Sequence, residues 1–133
     1  MRDSAAPCLS EMNTGMAYSV LAEIGRMLDA LAESGQPGSI DLRSLPLSDA
    51  DRSQLEETLG RGEVSAELKL AGDSEVWETR YPGVWWIRHR GAGGKIASEV
   101  ISVCRIPEIL MTHPADIQAA AGRLREKLET TDV

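Results

Sequence analysis

The change of hydrophobic period in mid-chain constrains this sequence most. Val64, Ala66, Leu68 and Leu70 alternate with Ser65, Glu67 and Lys69, a two-residue period that suits a strand with one apolar face. Ala71-Gly72-Asp73-Ser74 is a turn signal, and Glu75 to Tyr81 reads as a second strand. Pro82-Gly83 reverses the chain into a third strand, Val84 to Arg90, although a type II turn suits a two-residue hairpin poorly and leaves the register open. Gly91 to Gly94 then leads into a fourth strand, Ile96 to Val103.

Helical periods flank this meander. Val20, Ile24, Met27, Leu28 and Leu31 form one stripe that Gly35 and Pro37 bring to an end. Ile40 to Arg43 is a short extended segment. Ser48 is the expected N-cap of a second helix, with Asp51 completing a weaker capping box, Leu55 and Leu59 buried, and Gly60 or Gly62 at its end. His113-Pro114 opens a last helix whose apolar stripe is Ile117, Ala121, Leu124 and Leu128. The pattern predicts an α+β domain: a four-stranded antiparallel meander packed by about three helices on one face. Residues 1–15 read as a flexible tail and 16–130 as a single domain.

Charge and composition exclude several classes. With 14 Lys and Arg against 21 Asp and Glu among 133 residues, the net charge is −7, which repels phosphate backbones and anionic lipid. No nucleic-acid or membrane role is expected, since no apolar run reaches the ~20 residues of a membrane span. Cys8 and Cys104 fit no CxxC spacing and read as reduced, in keeping with a cytoplasmic protein.

A trial register places Leu68 opposite Trp77 and Trp77 opposite Arg88, Glu75 opposite Arg90, Arg88 opposite Glu99, and Trp86 opposite Ile101. The core face then holds Val64, Leu68, Leu70, Trp77, Tyr81, Val84 and Trp86. The other face collects Val76, Arg80, Trp85, Ile87, His89 and Val100 among charged residues. An exposed Trp85 beside Ile87 and Val100 is the expected partner-binding patch, because Trp and Arg are common interface anchors. Burial under the tail, under the last helix or under a second copy of the chain is the competing expectation.

Residues with catalytic or metal chemistry are sparse. His89 and His113 have no ligand partner at a metal-binding spacing, and His113 is expected to start the helix before Pro114. No GxSxG, GxxxxGK[ST] or GxGxxG motif occurs, and Asp41 with Arg43 reads as a local ion pair. No catalytic, cofactor-binding or metal-binding residue is expected.

Three stretches together resemble one family. Ile40-Asp41-Leu42-Arg43-Ser44-Leu45-Pro46-Leu47, Gly60-Arg61-Gly62-Glu63-Val64-Ser65 and Trp77-Glu78-Thr79-Arg80-Tyr81-Pro82-Gly83-Val84-Trp85-Trp86 are similar to the C-terminal conserved region of the HupH and HyaF hydrogenase expression proteins. Ile106-Pro107-Glu108-Ile109-Leu110 is a fourth match in order. The resemblance implies a non-enzymatic accessory protein or chaperone in maturation of nickel–iron uptake hydrogenase. Its implied partners are a small-subunit precursor, or the large subunit, and other hydrogenase accessory proteins. Two alternatives stand beside it: a nickel carrier in which His89, His113, Cys8 and Cys104 converge, and an assembly subunit that forms a homodimer through the same sheet face.

Overall fold

The computed structural model describes residues 12–69 and 72–130. Helix α1 (Met16–Ser34) ends on Gly35, whose left-handed backbone (φ 72°) lets its N–H reach the Leu31 carbonyl. Strand β1 (Gly38–Asp41) follows, then a 3-10 turn at Leu42–Ser44 and α2 (Asp49–Leu59). The meander is β2 (Ser65–Lys69), β3 (Asp73–Glu78), β4 (Val84–Arg90) and β5 (Ile96–Val103), and α3 (Pro114–Thr130) closes the chain. The sheet has five antiparallel strands in the order β1-β5-β4-β3-β2, where four were expected. The extra strand is the short extended segment at Ile40, which pairs with a strand some sixty residues away: Ile40 lies opposite Ile101 and Gly38 opposite Val103. Local periodicity carries no information on so distant a pairing.

Two helices cover one face. Val20 and Ile24 of α1 and Leu55 and Leu59 of α2 pack with Trp77, Val84, Trp86, Ile101 and Val103. The third does not join them: no residue of α3 is buried, and Ile117, Leu124 and Leu128 are 56%, 62% and 55% exposed. The expected packing by about three helices is thus corrected to two.

The register also differs in β2. Ser65 lies opposite Trp77, Ala66 opposite Val76 and Leu68 opposite Ser74, so Ala66 and Leu68 face away from the helices. The trial hairpin placed Ala71 against Ser74; Leu68 stands opposite Ser74 instead, a shift of three residues, and an odd shift turns every side chain over. Leu70 and Ala71 lie outside the described residues. Val64 and Tyr81, assigned to the core, are 45% and 49% exposed. The later pairings Arg88–Glu99 and Trp86–Ile101 are as expected, but β3 is shifted by two residues against β4: Trp77 lies opposite Trp86, where Arg88 was expected, and Glu75 opposite Arg88, where Arg90 was, an even shift that keeps the faces.

The expected tail falls largely on residues 1–11, outside the described range. Thr14 is tied down: its N–H and hydroxyl donate to Asp51 at 2.8 and 2.5 Å. Asp51 is fully buried and also accepts from the Ser48 N–H, completing the capping box at the start of α2.

Candidate functional site

Beneath α2, the aromatic and charged residues of the inner face form one connected network, in which the buried Trp77 Nε1 alone lacks a hydrogen-bond partner among the described residues. Trp77 and Trp86 stack with centroids 5.6 Å apart and rings within 8° of parallel. Arg61 lies 3.8 Å over the Trp77 ring, and Arg88 lies 5.1 Å from it. Glu99 is fully buried. It accepts from Arg88 Nε at 2.6 Å, from Trp86 Nε1 at 3.0 Å and from Arg52 Nη2, while Arg88 Nη2 donates to Glu56 at 2.9 Å.

Burial alone would raise the Glu99 carboxyl pKa. The hydrogen bonds from Arg52, Arg88 and Trp86 outweigh that and hold it below the usual glutamate range. Burial likewise opposes the charge on Arg88, and Glu99 with Glu56 raises its pKa nonetheless. Both oxygens of Glu99 are occupied by donors, so the arrangement fixes α2 to β4 and β5 and offers no free base. The trial pairing of Arg88 with Glu99 was legible; the contributions of Arg52 and Glu56 from α2 were not.

The outer face holds the expected partner residues, and the structure separates them. Ile87 lies between Val76 and Val100, with Ala66 beyond Val76, which makes an apolar row across four strands. Ile87, Val100 and His89 are half-buried. Trp85 and Val76 are not exposed as expected: they are 5% and 1% accessible. The Trp85 indole lies along the sheet, donating to the Cys104 carbonyl at 3.2 Å. Past β5 the chain turns so that Ile106 and Glu108 border one cleft with Ser39, Ser102 and Cys104, and Pro107 is buried. Ser39 and Ser102 belong to the outer face, so this return runs beside Trp85.

Arg80 leaves the patch altogether. Its N–H donates to the Leu59 carbonyl at 2.9 Å and its guanidinium to the Glu57 carbonyl at 3.4 Å, placing a cation at the negative end of α2.

The histidines occupy separate places. His89 Nδ1 pairs with the Ser74 hydroxyl across the outer face, and His113 Nδ1 accepts from the Ala115 N–H at the start of α3, as the sequence suggested. Cys104 is half-buried beside the Ser102 hydroxyl; Cys8 lies outside the described residues. Among the described residues no three His, Cys, Asp or Glu side chains are grouped to hold a metal ion, and no described helix is long and apolar enough to cross a membrane.

The sequence reading missed the apolar C-terminal arm as a surface. Ile106, Ile109 and Met111 are exposed ahead of the α3 stripe. The signal was the spacing of Ile117, Ala121, Leu124 and Leu128 at intervals of four, three and four. That is a narrow stripe, slimmer than the wide apolar face of a helix lying on its own core.

Fold and surface together define a two-layer α+β domain whose buried charges are spent on internal anchoring and whose apolar arm projects from the body. Residues 14–131 match the family described as HupH hydrogenase expression protein, C-terminal conserved region, and the chain belongs to that family. It is 30% identical to hydrogenase expression/formation protein HoxQ of Azotobacter vinelandii, over 95% of this chain and 46% of that protein. It is 33% identical to hydrogenase-1 operon protein HyaF of Escherichia coli (strain K12), over 84% of this chain and 37% of that protein. The chain thus spans less than half the length of these relatives. In structure it resembles hydrogenase expression protein HupH from Thiobacillus denitrificans ATCC 25259, with TM-score 0.86 and 39% identity over 90% of this chain and all of that one.

Proposed function

We propose that this chain is a non-enzymatic, cytoplasmic accessory protein in the maturation of nickel–iron uptake hydrogenase, holding an unassembled subunit precursor until assembly. The observation that carries the reading is family membership across residues 14–131. The iron–sulfur small-subunit precursor is the first client, the large subunit the second, and other hydrogenase accessory proteins are further partners.

The client surface is the outer sheet face. Half-buried Ile87, Val100 and His89 form its contact layer, with Val76 and Trp85 as a packed floor. Burying such a strip contributes a few kcal/mol at ~25 cal/mol per Å², in the range of a reversible complex, which a holding protein requires.

The test is capture of small- and large-subunit precursors, each expressed alone, with this chain as bait. Retention of one precursor and not its mature form is the expected result; retention of neither overturns the reading. Ile87→Ala should weaken capture about tenfold, as for a central interface residue, with an unchanged melting curve. Equal capture by that variant would move the client off this face.

A further inference from the structure

We infer that α3 docks on the outer sheet face of a second copy of this chain, and that the second copy's α3 returns the contact. The inference does not depend on the identity of any client. A helix of 17 residues with no buried side chain is marginal in water, because most helical stability in proteins comes from packing an apolar face. Here that face is bare along its whole length, from Ile117 through Ala121 and Leu124 to Leu128. The outer sheet face is the matching half: Leu68, Ala66, Ile87 and Val100 are half-buried, and among the described residues no helix lies over them.

Charge decides the orientation of like to unlike. The charges nearest the α3 stripe on helical spacing are Arg125 and Lys127, one on each side; Asp116 and Glu129 sit farther round the helix, and Glu126 points away. The outer face carries carboxylates at two sides of its apolar row, Asp41 on β1 and Glu78 on β3. A helix whose nearest flanking charges are cations therefore meets an apolar strip whose flanking charges are anions.

Area decides between seats on the second copy. A helix of this length covers on the order of 400 Å² of accessible surface on each side, so two reciprocal helix–sheet contacts reach on the order of 1,600 Å², the size of a standard stable interface. Pairing one α3 against the other would bury only about half of that, the size of a crystal contact. It would also rest on two heptads where a coiled coil needs about three or four.

Sedimentation equilibrium of the 133-residue chain over a broad concentration range tests the inference. The expected result is a mass approaching twice 14.4 kDa, with the dissociation constant raised at least tenfold by Leu124→Asp and by Arg125→Glu combined with Lys127→Glu. These side chains lie on a helix with no buried residue, so the body folds regardless. Ile87→Glu should have the same effect; Leu68→Glu on the edge strand replaces it should that variant fail to melt cooperatively. A wild-type monomer at every concentration overturns the inference, as does a dimer indifferent to the α3 variants. A dimer lost with Leu124→Asp but kept with the outer-face variant overturns the sheet seat.

Discussion

At the residue scale, two buried carboxylates hold the domain together by opposite routes from charge to stability. Glu99 is committed to cations: Arg52 and Arg88 converge on it and Trp86 adds a third donor. Glu99→Gln strands the buried Arg88 guanidinium without most of its anion and should destabilise by about 3–5 kcal/mol, as breakage of buried pairs does. Replacing both partners, Glu99→Leu with Arg88→Met, should cost less than the single change, because it removes the stranded charge as well; urea unfolding of the three proteins measures this. Asp51 relies on neutral donors. Burial would raise its pKa, but the Thr14 hydroxyl and N–H and the Ser48 N–H lower it to about 2, against 3.8 for a free aspartate. Its folded pKa is thus depressed, so its contribution is full above the unfolded value and is lost as pH falls from about 4 to about 2. Asp51→Asn should lower the melting temperature at pH 7, and the gap from wild type should close on acidification to about pH 2. A gap constant with pH would mean that Asp51 acts by shape alone.

At the scale of elements, the junction between α2 and the meander is closely packed backbone against backbone. Gly62 donates its N–H to the Glu78 carbonyl at 2.7 Å, and a Cβ placed there would stand 2.7 Å from the Thr79 carbonyl oxygen. Gly62→Ala should therefore cost about 1–3 kcal/mol, since backbone has to move, and backbone shifts of this kind cost that much in packed sites. Guanidinium unfolding reads it directly; a neutral result would show the β2 edge to be compliant. These elements were legible to different depths. Ser48 and Asp51 announce the start of α2, and Gly35 with Pro37 announces the end of α1, because caps are local chemistry. Val84 to Arg90 and Ile96 to Val103 are found as expected, each long enough for period to decide. The membership of β1 in the sheet was hidden because its partner is distant in sequence. The face of β2 was hidden because it hangs on whether the register shifts by an odd or an even number of residues, and Trp85 was placed on the correct face but its burial depends on the return of the chain past Cys104. The stripe of α3 was visible; that it stays unpacked on its own sheet is a property of the tertiary arrangement, which periodicity does not contain.

At the scale of the whole molecule, one surface carries two proposals, and their competition is measurable. If the outer face seats α3 of a second copy and also receives the hydrogenase precursor, the chain competent for a client is the fraction not dimerised. Apparent affinity then falls by that fraction. At a concentration where about nine-tenths of the wild-type chain is dimeric, Leu124→Asp should bind the small-subunit precursor about tenfold more tightly than wild type, by the same relation. Ile87→Ala introduced into that variant should remove the gain. The reverse dependence also holds, because linkage is reciprocal: saturating precursor should drive the wild-type dimer to a one-to-one complex, seen by sedimentation as loss of the chain's self-association. Equal precursor affinity for wild type and Leu124→Asp would place the client elsewhere than the face that α3 covers. Weaker binding by Leu124→Asp would instead make the exposed stripe of α3 itself part of the client surface, with Met111 and Ile109 beside it in the chain.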